Sequence, residues 1–202
     1  MLAEGVHLCG YNHRSSFGAH SYLVTHEEGN VLVDSPRFTK KLVRPFEEMG
    51  GIHKVLLSHR DDVADAERWA KHFGADVYIH ESDADAAPFA THVLRGSSPA
   101  ETSTVAGGIL AIPVPGHTKG SVVYLVGDKY LFTGDSLTWS YDRGRMRAFR
   151  HACWYSWPEQ KKSLAALAEY GFNQIFSGHG PWSPWRDQNE MRRLLLELTA
   201  SM

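Results

Sequence analysis

The stretch that most constrains the fold is an apolar segment with two tight turns at residues 112–136. It reads I-P-V-P-G-H-T-K-G-S-V-V-Y-L-V-G-D-K-Y-L-F-T-G-D-S. A first strand ends at the P-G-H-T motif around His117, and two further apolar strands flank a G-D turn before Asp135. Both residues therefore follow strand ends, where irregular backbone leaves side chains free to converge on one rim of a sheet. The segment predicts a β-sheet that carries two potential metal ligands.

Hydrophobic periodicity elsewhere predicts alternating helices and strands. Apolar residues at helical spacing predict a helix over residues 39–49, which a Gly-Gly pair ends. A continuous apolar run at 55–57 predicts a strand covered on both faces, and a helical pattern separates it from a strand at 76–80. This β-α-β succession implies parallel strands in an α/β layered fold. The other predicted elements are a hairpin of strands at 21–25 and 30–34, a loop-rich segment at 84–101, helices at 63–73, 158–170 and 187–198, and a strand at 173–176.

Four separate blocks of the sequence carry a resemblance to a known family. They are L-L-S-H ending at His59, P-G-H-T-K-G-S around His117, F-T-G-D ending at Asp135 and F-S-G-H-G around His179. In this order they resemble the ligand motifs of the metallo-β-lactamase fold hydrolases, and the resemblance runs from about residue 21 to about residue 180. It implies an α/β fold, a four-layer αβ/βα sandwich of the metallo-β-lactamase type.

The resemblance also implies a metal site. His59 and His117 would hold a first divalent ion and His179 a second, with Asp135 bridging the two. Imidazole and carboxylate are ligands that zinc takes in proteins, at about 2.0–2.2 Å. The candidate ligands are His59, Asp61, Asp62, His117, Asp135 and His179, of which Asp61 and Asp135 are also the candidate catalytic residues. Asp34 ends a strand as an aspartate beside the metal site does in the family, although a turn residue or a helix cap is the alternative.

The first block departs from the family pattern H-x-H-x-D-H, because it reads H-R-D-D-V-A-D-A from His59. Aligned without a gap, Asp61 takes the place of the second histidine, and valine and alanine replace the later aspartate and histidine. Aligned with a two-residue deletion, Asp61 and Asp62 stand where Asp-His usually stand. Asp61 is therefore a candidate ligand in both registers and Asp62 in one. For Asp65, a charge on the first turn of a helix is the favoured interpretation.

The replacement of imidazole by carboxylate bears on the metal and on the reaction. Oxygen donors suit harder ions, so iron or manganese competes with zinc, and one ion becomes more plausible than two. The favoured function is a metal-dependent hydrolase that activates a water for attack on a small anionic ester, thioester, amide or phosphate-type substrate. The alternatives are a mononuclear or dinuclear iron oxidoreductase of the same fold and a metal-binding member that has lost catalysis.

Residues 137–157 are rich in arginine and aromatic side chains. Arginine supplies bidentate donors for carboxylate or phosphate, and aromatic rings supply flat apolar walls. In the family this insertion borders the mouth of the active site, so Arg147, Arg150 and Trp154 are the candidate substrate-binding residues. Packing within a loop or at a homodimer surface is the alternative.

Composition limits the partners and the compartment. The chain has 21 basic and 23 acidic residues and a net charge of -2, so neither nucleic acid nor a membrane surface is an expected partner. No long apolar run or leader pattern stands out, and two distant cysteines do not make a disulfide framework. These features favour a cytoplasmic protein with a small-molecule substrate. No composition shift marks a boundary, so residues 1–202 are expected to form one domain.

Overall fold

Two β-sheets organise the chain, one in each of the two compact units of the computed structural model. The structure describes residues 1–202, and the units are Met1–Leu94 and Arg95–Met202. Four α-helices and several short 3-10 helices accompany thirteen strands. No helix has the length and apolar character needed to cross a bilayer.

The first unit is built on a six-stranded sheet with strands in the order β1-β2-β3-β4-β5-β6. Its first three strands pair antiparallel, and the pairs from β3 to β6 are parallel. Helices α1 and α2 provide the crossovers that parallel strands require. The bounds are β1 Val6–Leu8, β2 Tyr22–Val24, β3 Val31–Val33, α1 Lys40–Glu48, β4 Lys54–Leu56, α2 Ala66–Phe73, β5 Asp76–His80 and β6 His92–Leu94.

Helix α1 begins, and both helices of this unit end, close to where the sequence predicts. The side chain of Thr39 accepts a hydrogen bond from the Lys41 backbone N–H and caps α1. Gly74 adopts φ = 68° and ends α2 in the left-handed conformation that glycine tolerates. Trp69 of α2 is fully buried in the core and its ring lies 4.5 Å from that of Phe38. One face of each crossover helix is buried in the apolar core of the unit.

The second unit is built on a five-stranded sheet with strands in the order β13-β10-β9-β8-β7. Strand β13 is parallel to β10, and the other neighbours are antiparallel. A separate two-stranded hairpin, β11 with β12, follows β10. The bounds are β7 Ser103–Ala106, β8 Ile109–Pro113, β9 Val122–Val126, β10 Tyr130–Gly134, β11 Thr138–Ser140, β12 Arg145–Arg147, α3 Trp157–Ala166, β13 Gln174–Ser177 and α4 Gln188–Ser201.

Most elements expected from the sequence are present, with local differences. The two predicted hairpins, the β-α-β succession and the helices that became α1, α3 and α4 are confirmed. The helix predicted over 63–73 begins only at Ala66, because Arg60–Asp62 forms a 3-10 helix and Ala64 then takes φ = 40°. The segment expected to be a loop at 84–101 contains β6, and strands β1, β7, β11 and β12 were not predicted.

Candidate metal centre

In the first unit, the carboxylate of Asp34 supports the loop that carries His59. Asp34 follows β3 with φ = 54°, a conformation that aspartate tolerates better than most residues. Its buried carboxylate accepts hydrogen bonds from the Ser58 backbone N–H at 2.8 Å and from the Ser58 hydroxyl at 2.9 Å. Burial, and then the negative charge of Asp34, raise the pKa of Tyr22. Asp34 is therefore a turn residue by conformation and a support for the loop after β4 by its contacts.

This support also orients the His59 ring through its Nδ1 atom. Ser58 Oγ lies 2.9 Å from His59 Nδ1. Because the hydroxyl proton of Ser58 is donated to Asp34, Ser58 Oγ accepts from His59, and Nδ1 carries the imidazole proton. A neutral imidazole in this tautomer has its lone pair on Nε2, which is the state a metal ligand needs. The His59 side chain is also 1% exposed, so its orientation is held by the interior of the unit.

Two aspartates of the same loop lie close to this imidazole. Asp61 Oδ2 is 3.8 Å from His59 Nε2, and the Asp61 side chain is one third exposed. One carboxylate oxygen of the buried Asp62 lies within 4.8 Å of a ring nitrogen of His59. Asp65 instead accepts a hydrogen bond from the Phe38 backbone N–H at 2.7 Å and begins α2. The helix-start interpretation of Asp65 is confirmed, and both Asp61 and Asp62 stay candidate ligands.

The second unit brings its three candidate ligands together. His179 Nδ1 lies 2.8 and 2.9 Å from the two carboxylate oxygens of Asp135. His117 Nε2 lies 3.7 Å from Asp135 Oδ2, and the His117 side chain is 3% exposed. With Asp135 ionised, its carboxylate only accepts, so His179 donates from Nδ1 and has its lone pair on Nε2. The cluster combines two imidazoles and one carboxylate, a donor set found at catalytic zinc sites.

Local packing explains why these three side chains converge. His117 follows β8 and Asp135 follows β10, with β9 between these two strands, and His179 follows β13, which pairs with β10. Close packing of Gly116 on α3 holds the His117 loop, because a Cβ on Gly116 would lie 2.4 Å from the Gln160 Cα. Gln160 also donates from Nε2 to the Ser136 carbonyl at 2.9 Å, beside Asp135. Helix α3 therefore supports two of the three positions.

The candidate substrate-binding residues occupy two different places in this unit. The backbone N–H of Trp154 donates to the His117 carbonyl at 2.8 Å, and the two rings lie 6.4 Å apart. The Trp154 side chain is 69% exposed. Arg147 and Arg150 line a cavity against α4, and none of the three candidate ligands of the unit lines that cavity. Trp154 is thus beside a candidate ligand, whereas the two arginines share a different surface.

Sequence reasoning identified the candidate ligands but not their supports. The motif around His59 contained Ser58, yet the hydroxyl bridge from Ser58 to Asp34 depends on a contact between residues 24 positions apart. A serine directly before a ligand histidine, with an aspartate at the end of the preceding strand, is the signal that would have indicated it. Gln160 gave no such signal, because a glutamine inside an amphipathic helix is ordinary.

Together the two units define an α/β protein with histidines and carboxylates gathered at strand ends. Comparison with solved structures identifies the fold. The metallo-β-lactamase FIM-1 from Pseudomonas aeruginosa in its mono-zinc form superposes with a TM-score of 0.71 at 18% identity, covering 100% of this chain and 93% of that one. TTHA1623 in a di-iron-bound form gives 0.63 at 23% identity, covering 88% and 93%. The chain has the metallo-β-lactamase fold, which confirms the resemblance seen in its motifs.

Sequence comparison finds relatives that match only part of the chain. The uncharacterized protein YmaE of Bacillus subtilis (strain 168) is 31% identical over 134 residues, which cover 63% of this chain and 48% of YmaE. A hydroxyacylglutathione hydrolase of Acidiphilium cryptum (strain JF-5) is 34% identical over 131 residues, covering 63% and 52%. The chain thus spans about half the length of these relatives. No protein-family model matches the chain.

Proposed function

We propose that this protein is a metal-dependent hydrolase of a small anionic substrate with an ester, thioester, amide or phosphate-type bond. The fold supports the metal-dependent part, since its solved neighbours include a mono-zinc and a di-iron form. The similarity to a hydroxyacylglutathione hydrolase supports hydrolysis. A shared fold does not determine a reaction, so the reaction is inferred from the residues of the site.

The observation that carries the proposal is the donor set of the second unit. Asp135 contacts His179 at 2.8 Å and lies 3.7 Å from His117, so a carboxylate able to bind a divalent cation has an imidazole close by on each of two neighbouring loops. His117 is buried and Asp135 is 13% exposed, which limits competition from water. Three protein ligands of this kind leave a coordination position open for chemistry.

In the proposal, residues of the first unit join this donor set. His59, Asp61 and Asp62 would act with His117, Asp135 and His179 on one ion, or on two. When bound, the cation lowers the pKa of a water and polarises the substrate carbonyl or phosphoryl oxygen. The Ser58 bridge holds His59 through Nδ1, so Nε2 is the nitrogen that would bind the ion, and the α3 contacts hold His117 and Asp135 in place. Trp154 offers the substrate an exposed flat apolar wall beside His117.

The test combines elemental analysis with a substrate panel. Protein purified without a metal-affinity tag should contain close to one equivalent of zinc, iron or manganese per chain. It should hydrolyse at least one member of a panel of anionic esters, thioesters and phosphodiesters. Asp135→Asn should lose most of both metal and activity, because an amide is a poor substitute for a bridging or terminal carboxylate. Bound metal without turnover across the panel would contradict the hydrolase and favour a member that has lost catalysis.

A second candidate is an iron oxidoreductase of the same fold. It is favoured by a carboxylate that replaces an imidazole of the family pattern, Asp61 in the ungapped register or Asp62 in the gapped one, because carboxylates suit harder ions than zinc. Iron as the principal bound metal, with an optical absorption band and oxygen uptake, would support this candidate. Zinc as the principal metal with hydrolysis of a panel member would exclude it.

A further inference from the structure

The second unit contains a cavity that the proposed hydrolytic site does not use. Its volume is about 360 Å3, and it is lined by the β11–β12 hairpin, the start of α3 and the C-terminal part of α4. This volume falls within the ~300–1,000 Å3 typical of small-ligand pockets. His117, Asp135 and His179 do not line it. The cavity is therefore a separate feature of the molecule.

The rim of the cavity is strongly cationic. Arg143, Arg145, Arg147 and Arg150 all line it, and all four are exposed. None of the four guanidinium groups forms an ion pair with a carboxylate, and Arg147 stacks over the Phe149 ring at 4.7 Å. Like charges within eight residues repel one another, so an anion at this position would be favoured on electrostatic grounds.

The one acidic residue that lines the cavity does not neutralise this rim. Glu197 of α4 is paired with Arg193, one turn earlier on the same helix, at 2.5 Å. The excess positive charge of the rim is therefore available to a ligand. Arginine is suited to this role because its planar fork binds carboxylate or phosphate with two parallel hydrogen bonds.

Apolar side chains form part of the cavity wall. Met146 lies between Arg145 and Arg147 in β12, is 1% exposed and belongs to the apolar core of the unit. Trp157, Leu194, Leu198 and Met202 contribute further apolar walls. Apolar walls beside a cationic rim suit a ligand that has both an apolar part and an anionic group. An inorganic anion would leave the walls unfilled, and a neutral apolar molecule would leave the guanidinium groups without a partner.

We propose that this cavity binds a small single-chain amphiphile, a short apolar chain with one carboxylate or phosphate headgroup. The headgroup contacts the arginine rim and the chain packs against Trp157 and the apolar side chains of the C-terminal part of α4. The volume accommodates one short chain, which favours a free amphiphile over a bilayer surface. This proposal does not depend on hydrolytic activity or on bound metal.

Calorimetric titration of the full chain with decanoate, decyl phosphate and decanol tests the proposal. Decanoate or decyl phosphate should bind with one site per chain, and decanol at least tenfold more weakly. The tighter of the two anions identifies the headgroup. Arg145→Gln with Arg147→Gln should weaken anion binding at least tenfold. The matched double variant Lys40→Gln with Arg44→Gln, which removes two exposed charges from α1, should bind within twofold of the original chain.

A second variant and a chelator distinguish binding in this cavity from binding at the metal centre. Ser201→Trp places a large ring at the cavity wall and should also abolish binding, while circular dichroism shows the helices intact. Binding should persist after dialysis against EDTA. The proposal is overturned if neither anion binds, if both double variants weaken binding equally, or if EDTA abolishes binding, since the last result would place the anion at the metal centre.

Discussion

At the scale of single residues, the candidate ligands are defined by what their neighbours accept or donate. Ser58 donates a hydrogen bond to Asp34 and accepts one from His59, so the carboxylate acts on the imidazole through this serine. The hydroxyl can donate only one proton, so the bond to Asp34 determines the tautomer of His59. Ser58 thus determines which tautomer His59 adopts, although Ser58 is not itself a candidate metal ligand.

Removing this bridge should weaken metal binding without unfolding the protein. In Ser58→Ala, His59 loses its Nδ1 acceptor, while the Ser58 backbone N–H still donates to Asp34. Loss of a partner that orients a ligand typically lowers metal affinity about 10–100-fold. Competition with a chelating dye measures the affinity. Ser183→Ala, which removes a buried hydroxyl that contacts a backbone N–H in β13, is the control and should leave metal affinity unchanged.

A buried thiol makes stability depend on alkaline pH. Burial raises the pKa of Cys9 from 9.0 to about 12, against a smaller opposing effect of the nearby Ser21 side chain. Between these values the unfolded chain loses the thiol proton and the folded chain keeps it, so the free energy of unfolding falls as pH rises above 9. The contribution at pH 10, one unit above the unfolded pKa, is about 1.4 kcal/mol. In Cys9→Ala, the decrease in unfolding free energy from pH 8 to pH 10 should be smaller by that amount in urea titrations. An equal decrease in both proteins would contradict the assignment.

At the scale of elements, the sequence predicts the helices and strands whose residue pattern reflects the burial of their apolar side chains. Strands β8, β9 and β10 are continuous apolar runs with marked turns, and α1 has both caps, so local chemistry was sufficient to predict them. The β11–β12 hairpin was missed because β12 has arginine on both sides of one buried methionine. Its strand character comes from pairing with β11, which no local pattern reports.

The same distinction applies to the candidate site. His117, Asp135 and His179 were predictable because each follows a recognisable strand, and within the second unit Asp135 lies close to both histidines. The register of the block after His59 was not predictable. A 3-10 helix at Arg60–Asp62 and the left-handed Ala64 shift the start of α2, and such backbone choices depend on contacts like that of Asp65 with Phe38. Sequence alone therefore identified Asp61 and Asp62 without deciding between them.

The contact between the His117 loop and α3 should be sensitive to a single methyl group. In Gly116→Ala, the new Cβ would meet backbone and side-chain atoms of Gln160, at 2.3–2.4 Å, so the loop or the helix must move. Such overpacking costs about 3 kcal/mol. Gly127→Ala is the control, since its Cβ meets nothing within 4 Å and only its positive φ is strained, at about 1 kcal/mol. Urea unfolding compares the two. Equal losses would mean that the loop does not depend on α3.

At the scale of the whole molecule, the proposed function requires both compact units. Each unit has its own sheet and its own apolar core, and each contributes part of the candidate ligand set. A cation held by residues of both units would add free energy to the folded chain as a whole, because it binds only when both halves are native. Stability measurements can therefore test the site without any knowledge of the substrate.

Zinc at about 100 times its dissociation constant should raise the free energy of unfolding by about 2.7 kcal/mol relative to the chelated protein. His59→Ala and His117→Ala should each remove this gain, although the two residues lie in different units. If both bind the same ion, the double variant should lose no more than either single variant, because the losses are not additive for one shared ligand. The matched variant His53→Ala, at an exposed histidine of the first unit, should keep the full gain. Additive losses in the double variant would instead show that each unit binds its own ion, and would require the proposed shared centre to be abandoned.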